Sequence, residues 1–123
     1  MQSGYAMPST SEMQGFQYFI YMDTKDLIHK KYQINDRECF VLRMITQSYL
    51  QNQAMRVSDV LRLKEFASPA TLHNILKSLI KKKSLSVSTD PKDGRVKYLK
   101  PTTMTLNMYR EMTGEFIKIS TSA

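Results

Sequence analysis

The clearest hydrophobic pattern in the chain lies at Leu72, Ile75, Leu76, Leu79 and Ile80, which share one side of a 3.6-residue helix. Ser68 is placed to cap that helix, and Pro69 takes its first position, where a missing N–H costs nothing. Opposite the stripe lie Thr71, Asn74, Lys77, Ser78 and Lys81, and no acid occurs between Ser68 and Thr89. The period then changes to two. Leu85 and Val87 alternate with Ser84, Ser86 and Ser88, as in a half-buried strand. Pro91 and Gly94 mark a turn, Val96, Tyr98 and Lys100 a return strand, and Pro101 its end.

Upstream, Phe16, Phe19, Ile20, Leu27 and Ile28 give an apolar side to a helix over 16–33. A second helix starts after Asn35, which forms a capping box with Glu38, and carries Phe40, Val41, Met44, Ile45 and Tyr49 to about Leu50. Met55 to Val57 fit a very short strand. Ser58 is placed to cap a brief helix through Leu63, followed by a turn over 64–67 in which Phe66 plugs the space beneath. Residues 1–15, rich in Ser, Gln, Met, Gly and Thr without a sustained period, read as a flexible arm. A last helix from Thr103 carries Tyr109, Met112, Phe116 and Ile119 at coiled-coil-like spacing, weakened by about 1 kcal/mol at Gly114.

Charge sharpens this picture. The net charge is +7, and residues 56–100 hold eleven Lys or Arg against four acids, so the whole excess sits there. A localised basic surface suits a polyanion, although such runs also serve as solvated faces. The chain of 123 residues is long enough for one domain with a modest core. No apolar run approaches the roughly 20 residues that span a bilayer, and no secretory signal is visible. With one cysteine, Cys39, no internal disulfide can form, so the cytoplasm is the expected compartment. His29 and His73 offer no metal spacing, and neither a phosphate loop nor a nucleophile elbow is present, so neither an enzyme nor a cofactor is expected.

The run Asp90-Pro91-Lys92-Asp93-Gly94-Arg95, with Leu99 and Thr102 after it, resembles the wing signature of the MarR family of transcriptional regulators. Pro101 stands where that pattern usually has a leucine. The resemblance covers residues 35–102 and implies a mainly α fold with a small β wing, a winged helix-turn-helix with flanking dimerisation helices. It implies four segments: the arm at 1–15, an N-terminal dimerisation helix at 16–34, the DNA-binding domain at 35–102 and a C-terminal dimerisation helix at 103–123. Phe16, Phe19, Ile20, Tyr109, Met112, Phe116 and Ile119 are then the expected dimer contacts.

On the same resemblance, Ser68, Ala70, Thr71, His73, Asn74, Lys77 and Ser78 face the major groove of double-stranded DNA, with Lys81 beyond them on the same DNA-binding surface. Asn74 suits adenine, and Lys77 suits guanine or a phosphate. Arg95, held by Asp93, would enter the minor groove, with Lys92 and Lys97 on the backbone. Each of these side chains also has a plainer reading, as a solvated face or a brace within the turn. Lys81, Lys82 and Lys83 suit phosphate contact or solvation. Drug-responsive relatives suggest a small apolar effector between the flanking helices and the DNA-binding part, where ordinary core packing is the alternative. Cys39 reads as a small core residue or, beside Arg37 and Arg43, as a thiol switch. The rival to DNA binding is a winged-helix module for protein or RNA, since fold alone does not fix function.

Overall fold

A computed structural model describes residues 6–122. The elements in chain order are α1 (Thr10–Met13), α2 (Phe16–Lys31), α3 (Asp36–Leu50), α4 (Val57–Leu61), α5 (Pro69–Lys81), β1 (Leu85–Thr89), β2 (Lys97–Pro101) and α6 (Thr103–Thr121). Of the expected arm, residues 1–5 lie outside the described residues, and the remainder contains α1. That single turn is held by a capping box between Ser9 and Glu12, a local signal needing no apolar period.

The core is built largely where the periodicity placed it, but Ile80, at the end of the α5 stripe, is exposed, and Leu42, outside the α3 stripe, is fully buried. Leu72, Ile75, Leu76 and Leu79 of α5 pack with Val41, Leu42 and Ile45 of α3, Val60 of α4, Leu85 and Leu99 of the strands, and Met108 and Met112 of α6. Asn35 and Glu38 form the expected capping box on α3, and Ser68 accepts from the Thr71 amide at the start of α5. The cap of α4 differs from expectation. Arg56, not Ser58, is the capping position, because the Asp59 carboxylate reaches back to the Arg56 amide at 2.9 Å and starts the helix two residues earlier.

Three helices end without glycine. Gln33, Asn52 and Lys83 adopt left-handed φ of 60–64°, and the amides that follow them bond carbonyls one turn back: Ile34 to His29, Gln53 to Ser48 and Ser84 to Leu79. This hydrogen bonding turns the chain despite the left-handed strain of a side-chain-bearing residue.

β1 and β2 pair antiparallel, with Val87 opposite Leu99 and Leu85 opposite Pro101. Val96 falls outside the return strand, and Pro101 is its last residue. The expected short strand near Met55 is a lone bridge between Arg56 and Tyr98. The alternation in β1 is only half realised: Leu85 is buried, but so is Ser84, while Val87 is exposed. Ser84 is drawn inward because its carbonyl accepts from the Thr105 hydroxyl at 2.6 Å.

The flanking helices pair with each other inside one chain. Tyr21 meets Phe116 edge to face at 5.2 Å, Gln17 donates to the Ile119 carbonyl at 2.7 Å, and Glu111 accepts from Lys31 and Tyr32 at 3.0 Å each. Met112 and most of Tyr109 are spent in the chain's own core, so this part of the expected intermolecular seam turns inward. On α2 the apolar residues divide: Ile28 is buried, whereas Phe16, Phe19, Ile20 and Leu27 are between 38 and 69% exposed.

Candidate nucleic-acid interface

Along α5, Ser68, Ala70, His73, Asn74, Lys77 and Lys81 are exposed, and Thr71 and Ser78 half-buried. Ser68 and Thr71 share a hydroxyl hydrogen bond of 3.0 Å in addition to the cap. Ser78 is engaged elsewhere: its hydroxyl donates to the Glu38 carboxylate at 2.6 Å. Lys82, expected to meet phosphate or solvent, also pairs with Glu38. Asn74 and Thr71, with Ser78, border an open groove against Asn35, Arg37 and Glu38 from the start of α3.

The wing turn is organised by carboxylates. Asp90 accepts from the amides of Lys92 at 2.7 Å and Asp93 at 3.3 Å, and the Val96 amide closes onto the Asp93 carbonyl at 3.0 Å. Gly94 has no left-handed φ, so the turn does not depend on its conformational freedom. Asp93 grips Arg95 along one guanidinium edge, Nε at 3.1 Å and Nη2 at 3.2 Å, and by its amide at 3.0 Å. These hydrogen bonds, from the Arg95 side chain and then its amide, hold the Asp93 carboxyl below its ordinary value. The Arg95 side chain is nevertheless 91% exposed, braced and presented at once. Lys92 and Lys97 are exposed beside it.

Sequence reasoning missed part of this surface. Arg56 and Ser58, at the start of α4, share a groove with Arg95 and Lys97. The bridge from Arg56 to Tyr98 sets α4 against the wing, and only the charge count hinted at it.

A separate cleft of about 530 Å³ lies between α2, α3 and α6, lined by Phe40, Leu50, Met112 and Phe116 with Lys25 and Arg43. Buried atoms without hydrogen-bond partners at its wall are His29 Nε2, Thr46 Oγ1 and the Tyr109 hydroxyl. Burial, with Lys25 nearby, holds His29 below its ordinary pKa. Cys39 also lines the cleft, and burial pushes its thiol up against the opposing pull of Lys25 and Arg43. Phe40 stacks on Phe66, centroids 4.4 Å apart, so Phe66 covers α3 from the turn before α5. No group of three or more His, Cys, Asp or Glu among the described residues is arranged to hold a metal ion. Among the described residues no helix is long and apolar enough to cross a membrane.

A capped basic helix, a two-stranded wing and paired flanking helices together define a winged helix-turn-helix fold. Solved structures show the same fold. A mutant of Staphylococcus aureus MepR bound to an oligodeoxyribonucleotide superposes with TM-score 0.71 at 18% identity, over 93% of this chain and 80% of that one. The S. aureus MepR–DNA complex gives 0.64 at 20% identity, covering 87% and 86%. Transcriptional regulator Tm0710 from Thermotoga maritima gives 0.66 at 17%, covering 91% and 78%. No family model and no curated protein matches the sequence.

Proposed function

We propose that this chain is a dimeric MarR-like transcriptional regulator that binds double-stranded DNA, acting in the cytoplasm and not as an enzyme. The observation that carries the reading is the exposed, acid-free face of α5, accompanied by a wing whose arginine is held outward by Asp93. MepR, which shares the fold, has been solved with DNA. In this reading α5 lies in the major groove with Asn74 and Lys77 at base edges, and Arg95 enters the minor groove. Arg56, Lys92 and Lys97 contact the backbone.

Selection from a random duplex pool is expected to recover a palindrome with half-sites about 34–36 Å apart. Asn74→Ala should relax one base position in each half-site by about 1–3 kcal/mol. Arg95→Ala should weaken binding most at sites with a narrow minor groove. A pool that yields no motif, with both variants like the parent, would favour a protein- or RNA-interaction module.

Dimerisation in this reading uses the exposed face of α2, with Phe16, Phe19 and Ile20, beside Ile119 of α6. Such a patch is uncommon on a monomer. Phe19→Asp is expected to convert the dimer to a monomer by light scattering with the far-ultraviolet spectrum unchanged. A parent that is already monomeric at tens of micromolar would remove the dimer from the reading. The cleft beside Cys39 supports a small apolar effector, because it joins an apolar lining to buried polar atoms that lack partners.

A further inference from the structure

The most heavily committed side chain outside the proposed DNA surface is Glu38. Only 2% exposed, it sits in the first turn of α3. One carboxylate oxygen accepts from the Asn35 amide at 3.0 Å and from the Lys82 ammonium; the other accepts from the Ser78 hydroxyl at 2.6 Å. Lys82 also donates to the Gln33 carbonyl at 2.6 Å. A single buried acid thus gathers the turn between α2 and α3, the start of α3 and the last turn of α5. Burial alone would raise the pKa of Glu38; the Asn35 amide, Lys82 and Ser78 outweigh it and keep the group ionised.

Ser78 and Lys82 are four residues apart, and Asn74 lies four before Ser78, so the three form one row along α5. Ser78 and Lys82 are tied to Glu38, whereas Asn74, which borders the same open groove as Ser78, is exposed. A rotation of α5 about its axis would break the bonds to Glu38 and carry Asn74 sideways by the same angle. Hydrogen-bond readout of a base edge fails beyond a few tenths of an ångström, so the rotation of this helix must be fixed.

We propose that Glu38 is a positioning residue, latching α5 to α3 through Ser78 and Lys82 and thereby setting base discrimination without touching DNA. The proposal rests on the DNA-binding reading for its functional half and on the geometry alone for its structural half. Ser78 and Lys82 therefore work inward, although they belong to the basic stretch of the chain.

The test is the charge-neutral double variant Glu38→Gln with Lys82→Met, which leaves net charge and hence non-specific attraction unaltered. Binding is measured to the selected operator and to a random duplex, with amide hydrogen exchange across Lys77–Lys83. The expected result is a fall of about tenfold or more in the operator-to-random ratio, the size of one lost base contact. Random-duplex affinity should stay within about twofold, and exchange at the end of α5 should accelerate. Lys82→Arg, which keeps a cation for Glu38, should retain most of the ratio. Ser78→Ala removes a single hydroxyl and should lower the ratio several-fold, which covers the case of a double variant that fails to fold. A parental ratio in the folded double variant, or in Ser78→Ala if that is the one that folds, overturns the proposal. Should the parent itself prefer no sequence, the DNA reading fails separately. Exchange then decides the latch: faster exchange in the variant supports it, and parental exchange overturns it.

Discussion

Affinity for the selected duplex is expected to fall by about 10³–10⁵-fold between roughly 50 and 200 mM salt, the signature of some 6–10 phosphate contacts. The expectation comes from where the charge lies. The full +7 is confined to residues 56–100, which form α4, α5 and the wing. Arg56 and Lys97 share a groove with Arg95, so several of these cations are already gathered before any duplex arrives. Lys97→Ala should lessen the slope of log K against log salt by about one per subunit, hence by about two for a dimer. Its effect should be nearly the same on every sequence, unlike that of Asn74→Ala. A shallow slope would sink duplex binding as the role of this surface and move the weight to a protein-binding module.

Lys82→Ala is expected to destabilise the fold by about 3 kcal/mol, because it strands the Glu38 carboxylate without its cation. The lower end of the usual range applies, since Asn35 and Ser78 still donate to Glu38. The pH dependence identifies the cause. In the parent the folded pKa of Glu38 is below its unfolded value of about 4.3, so its contribution is complete above that value. It is lost as pH falls through the folded pKa. Removing Lys82 leaves burial less opposed and raises the folded pKa, so protonation costs the variant less than it costs the parent. The difference in denaturation midpoint between the two should therefore narrow as the solution is acidified towards pH 4. A difference that stays constant from pH 7 to pH 4 would mean that the loss comes from packing of the lysine stem.

How much of this was legible in the sequence depended on whether the deciding interaction was local. The start of α5 was readable because Ser68, Pro69 and the Leu72–Ile80 stripe act within one or two turns. The wing was readable because Asp90 and Asp93 organise their own turn, although Gly94 contributes no special backbone angle. α2 was readable as a helix but not as a surface: Phe16, Phe19 and Ile20 point outward, and one chain's periodicity does not say what covers an apolar stripe. Tyr109 and Met112 were readable as apolar positions of α6 but not for what they meet, since within one chain both pack against its own core. Ser78 was assigned to the basic face because its partner, Glu38, is forty residues away. Glu38 itself had already been explained as a cap, and nothing in the spacing of the chain advertised its second role.

The Asp93–Arg95 fork has a consequence for the cost of docking. A free arginine carries about 2 kcal/mol of rotamer entropy, which a binding partner must ordinarily freeze out. Here the guanidinium is already aligned, in a surface pair whose own net worth is at most about 1 kcal/mol. Releasing Asp93 for a richer source of negative charge would thus exchange one weak ionic partner for another and not order a loose chain. For the proposed wing contact, Asp93 would act as a placeholder, lending Arg95 its bound shape in advance; without it, the same arginine would have to find that shape only after meeting the duplex.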